Sequence, residues 1–83
     1  MRVTKKVYVK YFALFREQAG RSEEIVETQG DTASELYSEI SKKYGFSLPP
    51  DRVRVSVNDE FEEFEHKIKS DDSIVFIPPV AGG

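Results

Sequence analysis

The sequence predicts an α+β roll, a mixed sheet of about five strands covered by one main helix with a second, short helix beside it. Three observations carry that prediction. One apolar stripe recurs at helical spacing between a cap signal at Thr32 and a stop signal at Gly45. Short stretches of period-two alternation lie on both sides of it, around Val7, Val55 and Ile74. Paired turn formers, Asn58-Asp59 and Asp71-Asp72, break the later part into consecutive strands. At 83 residues the chain fits one domain, with residues 1–77 as the fold and 78–83 as a flexible C-terminal tail.

Each element has its own local reason. Residues 5–12 alternate, with Val7, Val9 and Tyr11 on the core side and Lys6, Tyr8, Lys10 and Phe12 on the other. Residues 13–19 read as a short helical turn closed by Gly20, and residues 22–28 carry a more polar strand around Ile25 and Val26, placed near an edge. Thr32 with Glu35 forms a capping box. Ala33, Leu36, Tyr37, Ile40 and Tyr44 then repeat at helical spacing, so residues 32–44 form the main helix. Lys42 and Lys43 complement its negative end, and Gly45 supplies the left-handed stop. Phe46 and Leu48 tuck back before Pro49-Pro50 stiffens the connection. Val53, Val55 and Val57 make a third strand, Asn58-Asp59 turns it, and residues 61–64 return. Residues 73–77 form the last strand, with Ile74 and Phe76 on one face and Val75 and Ile77 on the other, before Pro78-Pro79 halts ladder pairing. The order β, short helix, β, long helix, β, β, β is that of a β-grasp roll.

Composition narrows the function. With 39% hydrophobic and 12% aromatic residues the chain is too apolar for a disordered segment. A net charge of -3 disfavours general binding to a phosphate backbone, so no nucleic-acid partner is expected. Basic residues gather at Arg2, Lys5, Lys6 and Lys10 and acidic ones later, a distribution that solvated faces and turns account for. No apolar run reaches the length of a bilayer span and no signal peptide opens the chain, so the expected compartment is the cytoplasm, with no membrane partner. The absence of cysteine removes thiol nucleophiles and side-chain persulfides. His66, the one histidine, lies in an acidic run and lacks the companions a metal or general-base site needs, so no metal is expected.

The chemistry is in the tail. Pro78-Pro79-Val80-Ala81-Gly82-Gly83 could extend about 20 Å, far enough to enter another protein's active site. The prolines favour an extended exit, and Gly82 and Gly83, lacking Cβ atoms, can thread a narrow channel. A terminal carboxylate is ionised at neutral pH and a poor electrophile until ATP converts it to an acyl adenylate. The activated glycyl carbonyl can then take sulfide, giving a thiocarboxylate, or a lysine amine, giving an isopeptide.

With these features the chain resembles the small subunit of molybdopterin synthase, a ubiquitin-like sulfur carrier. The matching residues are Val9-Lys10-Tyr11-Phe12-Ala13 with Arg16-Glu17 and Gly20, then Val57-Asn58, and the ending Phe76-Ile77-Pro78-Pro79-Val80-Ala81-Gly82-Gly83. The resemblance implies that a ubiquitin-activating-like adenylyltransferase uses ATP on Gly83, that sulfur transfer makes the thiocarboxylate, and that the tail then enters a large synthase subunit. There the sulfur attacks a cyclic pyranopterin monophosphate precursor. It implies no bound cofactor, a heterotetramer of two small and two large chains, and a sulfur-delivering component that is not catalytic alone. By position, Phe12, Phe61 and Ile77 match the family's partner-binding surface, with Pro78, Pro79, Val80 and Ala81 held by the partner. Three alternatives stay open: a thiazole-synthesis sulfur carrier, a ubiquitin-like modifier forming isopeptides through Gly83, and a passive β-grasp binding module.

Overall fold

The computed structural model describes residues 3–79. Strand β1 (Lys5–Tyr11), helix α1 (Leu14–Ala19), strand β2 (Glu23–Thr28), helix α2 (Ala33–Tyr44), a 3-10 turn (Pro50–Arg52) and strands β3 (Arg54–Val57), β4 (Glu60–Glu62) and β5 (Ser73–Ile77) follow one another. The strands form one five-stranded sheet in the order β2-β1-β5-β3-β4. β1 and β5 run parallel and the other neighbours antiparallel, so the sheet is mixed, as expected of a β-grasp roll. β2 lies on an edge, where its polar pattern placed it.

Alternation becomes packing. Val7, Val9 and Tyr11 from β1, Ile74 and Phe76 from β5, and Val55 and Val57 from β3 are buried together with Ala33, Leu36, Tyr37 and Ile40 of α2. Burying one such side chain contributes roughly 1.5–3 kcal/mol, so these facing rows are what hold α2 to the sheet. Aromatic rings close the end near the tail: Phe15 lies 4.7 Å from Phe46 and Tyr37 lies 5.2 Å from Phe76, centroid to centroid. Phe15 is the buried residue of α1 and anchors that short helix.

The helix ends follow the sequence with one change. Thr32 Oγ1 accepts from the Glu35 amide at 3.2 Å, but the Glu35 carboxylate reaches the amide of Asp31, at 2.9 Å, instead of Thr32's own. Thr32 is bridged to Lys67, and the next two amides of α2 donate to a passing loop: Ala33 N to His66 O at 3.1 Å and Ser34 N to Phe64 O at 2.8 Å. Backbone carbonyls thus satisfy donors that a helix start leaves open. At the other end Gly45 has φ 71° and its amide donates to Ser41 O, the expected left-handed stop.

Two expectations need correction, and a third gains detail. The return strand is Glu60–Glu62, not residues 61–64: after Glu62 the chain leaves the sheet, because Phe64 packs half-buried against Tyr37 and Phe76 and its carbonyl serves α2. The stiff connection after Leu48 contains a 3-10 turn started by Pro50, whose fixed φ suits its first position. The first strand stops at Tyr11, and Phe12 begins a turn. Ile68, 2% exposed, is a core residue that no period announced.

Candidate functional site

β5 lies in the middle of the sheet between β1 and β3, so Pro78-Pro79 leaves from the centre and not from an edge. The β3–β5 ladder ends at the pair Arg54↔Ile77, after which the prolines have no amide to continue it. Val80, Ala81, Gly82 and Gly83 lie outside the described residues.

Beside that exit, the face of the sheet opposite α2 carries apolar side chains among charged ones. Register places Lys10, Val75, Ser56 and Phe61 in one row across β1, β5, β3 and β4, and Arg54 beside Ile77 in the next. Phe61 is 61% exposed and Phe12 49%, while Ile77 is half-buried. Phe12 follows Tyr11, whose pairing with Phe76 is the last of the β1–β5 ladder. Its outward position is set by a turn in which the Phe15 amide donates to Phe12 O at 3.0 Å, with Ala13 at φ 49° and ψ -119°. Of the three residues expected at a partner surface, Phe61 and Ile77 thus lie on the outer face of the sheet, and Phe12 lies exposed in the turn that follows β1.

Two features of that face escaped the sequence reading. Arg54 lies with its guanidinium carbon 4.4 Å from the Phe61 ring centroid. Arg54 alternates with the buried Val53 and Val55, but its pairing with Phe61 depends on the hairpin register, which only the observed two-residue turn defines. Tyr8 and Ile25, opposite one another in β1 and β2, form a second exposed apolar pair nearer the β2 edge.

Elsewhere polar groups are occupied structurally. A groove of about 320 Å³ between β2 and α2 is lined by Glu24, Ile25, Val26, Glu27, Glu39, Ile40 and Lys43. Two of its three carboxylates are engaged: Glu24 accepts from the hydroxyls of Tyr11 and Tyr44, and Glu39 from Thr28 Oγ1 at 2.8 Å. Burial opposes ionisation of Glu24, yet the two hydroxyls, with Lys43 and Arg21, hold its carboxyl below the ordinary range. Burial also pushes the Tyr11 phenol up, reinforced by the bond to Glu24, and burial raises Tyr37. Lys5, one of the early lysines, is tied to Asp31 Oδ1 at 3.2 Å and Gly30 O at 3.1 Å. His66 Nδ1 lies 3.4 Å from Glu62, and among the described residues no three histidine, cysteine or acidic side chains gather to hold a metal ion. No helix of the described residues is long and apolar enough to cross a membrane. The outer face thus offers exposed apolar side chains, with Lys10 and Arg54 beside them, next to the start of the tail.

Known proteins are similar to this chain. Residues 9–83 match the model of the ThiS family. The molybdopterin synthase sulfur carrier subunit of Escherichia coli (strain K12) is 28% identical over 80 residues, covering 93% of this chain and 99% of that protein. Among solved structures, a Pyrococcus furiosus protein described as molybdopterin converting factor, subunit 1, is 32% identical, with a TM-score of 0.75 over 92% of this chain and 99% of its own. SAMP1 of Haloferax volcanii has a TM-score of 0.78 at 24% identity over 94% of this chain and 99% of its own, a likeness of fold.

Proposed function

The chain belongs to the ThiS family, and from that membership we propose that it is a sulfur carrier of molybdenum cofactor biosynthesis acting through a thiocarboxylate on Gly83. The observation that carries the reading is the tail's place: it departs from the central strand β5 beside the exposed apolar residues Phe12 and Phe61. The family match runs through residue 83, and the Escherichia coli and Pyrococcus furiosus relatives are both named as molybdopterin subunits.

In this mechanism a ubiquitin-activating-like adenylyltransferase binds the carrier and ATP. A carboxylate oxygen of Gly83 bonds to the α-phosphorus and pyrophosphate leaves. A sulfide equivalent then adds to the glycyl carbonyl and displaces AMP, leaving the thiocarboxylate. The large synthase subunit takes the carrier by its outer face and the tail by Pro78, Pro79, Val80 and Ala81. The tail sulfur attacks the cyclic pyranopterin monophosphate precursor, and hydrolysis of the resulting acyl link returns the Gly83 carboxylate. Two rounds supply both sulfurs of the dithiolene. Gly82 and Gly83 let the backbone thread the channel without a Cβ in the way. The pterin-handling groups belong to the large subunit, in a heterotetramer of two small and two large chains in the cytoplasm.

The test is the intact mass of the C-terminal peptide of protein taken from its native host under non-reducing, mildly alkaline conditions. Exchange of one oxygen for sulfur at Gly83, with a large synthase subunit co-purifying, is the expected result. Free carboxylate alone, in cells with active molybdenum enzymes, would overturn the reading. A Gly83 joined to a lysine of another protein would establish a modifier, and co-purification of a thiazole-forming enzyme would move the carrier to that pathway.

A further inference from the structure

Resting on the reading above, we propose that Arg54 is a specificity-determining contact of the carrier, a preorganised socket for one aspartate or glutamate carboxylate of the large synthase subunit. Three observations lead there. Arg54 is exposed and faces Ile77 across the last pair of the β3–β5 ladder, where the tail begins. Its guanidinium lies on the Phe61 ring, 4.4 Å from the centroid. Among the described residues it has no ion-pair partner, although the chain carries 15 acidic residues.

The physical argument is one of desolvation. A partner that covers Phe61 and Ile77 also takes Arg54 out of water, since the three are immediate neighbours on one face. A guanidinium cannot lose its proton, and burying it without an anion is strongly unfavourable. The partner must therefore bring a negative charge to this point. The guanidinium itself selects which kind. With its carbon held 4.4 Å from the Phe61 centroid and no ion-pair partner among the described residues, its planar fork of N–H donors matches a carboxylate, which it takes through two parallel hydrogen bonds. The ring contact also restricts the side chain before binding, so less freedom is lost when the pair forms. A partner offering only an apolar surface would leave the cation unpaired, which makes Arg54 a filter as well as a contact.

The experiment measures affinity of the full-length carrier for the purified large subunit of the same host by titration calorimetry. Wild type is compared with Arg54→Gln, Arg54→Lys, Phe61→Leu and the double variant Arg54→Gln/Phe61→Leu, each first checked for an unchanged unfolding midpoint. Arg54→Gln is expected to bind about tenfold or more weakly, and Arg54→Lys to recover only part of that, since an ammonium cannot reproduce the fork. Arg54→Gln should cost less in the Phe61→Leu background, because the ring that positions the guanidinium is already gone. Wild-type affinity in Arg54→Gln overturns the socket while leaving the sulfur-carrier reading intact. Wild-type affinity in Arg54→Lys overturns the bidentate recognition. Failure of the wild-type carrier itself to bind the large subunit overturns the choice of partner, and the proposal with it.

Discussion

Glu24 sits with its side chain 8% exposed, its carboxylate accepting hydrogen bonds from Tyr11 and Tyr44 and facing Arg21 and Lys43. Its carboxyl is held below the ordinary range, so its stabilisation is complete above the unfolded value of about 4.3 and is lost as pH falls through the lower folded value. Glu24→Gln should therefore lose about 1–2 kcal/mol at neutral pH, and the gap to wild type should close in acid. Unfolding midpoints of both proteins across that range measure this, and a gap that persists unchanged in acid would refute the charged account. Ala13 carries a different kind of cost. With φ 49° and ψ -119° it occupies the first central position of a turn that favours glycine, and its Cβ makes that backbone unfavourable. Ala13→Gly should raise the unfolding midpoint, by about 1 kcal/mol in stability, and an unchanged or lower midpoint would show that the turn is relaxed as it stands. The turn leaves Phe12 exposed, so the strain sits next to a residue proposed for partner binding.

At the level of elements, the β3–β4 hairpin turns on Asn58 at φ 53° and Asp59 at φ 73°. Two positive φ values in a two-residue loop are the geometry that favours Asn-Gly. Asp59→Gly is expected to stabilise by about 0.5 kcal/mol in denaturant titration, whereas Asn58→Ala should destabilise. Asn58 Oδ1 accepts from Ser73 N and its Nδ2 donates to Asp72, both at 2.9 Å, so it fastens the start of β5 as well as the turn. The same hairpin marks the boundary of what could be read in advance. Asn58-Asp59, the Thr32 cap and the Gly45 stop were legible because each is a short-range device whose chemistry lies in adjacent residues. Ile77 was legible as an outward residue because alternation alone assigns a face, whereas Phe12, beyond the end of β1, is turned outward by the turn at Ala13. The end of β4 was not legible, because Phe64 is drawn to Tyr37 and Phe76, contacts made across the sequence. Ile68 and the carbonyls of Phe64 and His66 serve the core and α2 for the same non-local reason, and Arg54 joins Phe61 only once the register is fixed.

For the whole molecule, fold and reactivity are separable by position. The buried cluster is built from residues 7–76, and the carboxylate assigned to chemistry is at Gly83. Removing Gly83, or adding one residue after it, should abolish sulfur transfer in a reconstituted synthase assay while leaving the unfolding midpoint unchanged. Retained transfer would favour a passive binding module, and a large fall in stability would mean that the tail belongs to the fold. The placement of β5 has a mechanical consequence. It is hydrogen-bonded to β1 on one side and β3 on the other, and the tail continues directly from its end. Tension applied along the tail loads both ladders lengthwise at the same moment, so their bonds must rupture collectively instead of unzipping singly from a border strand. An enzyme that grips the tail and draws it into a channel therefore hauls the carrier as a rigid cargo and does not unravel it.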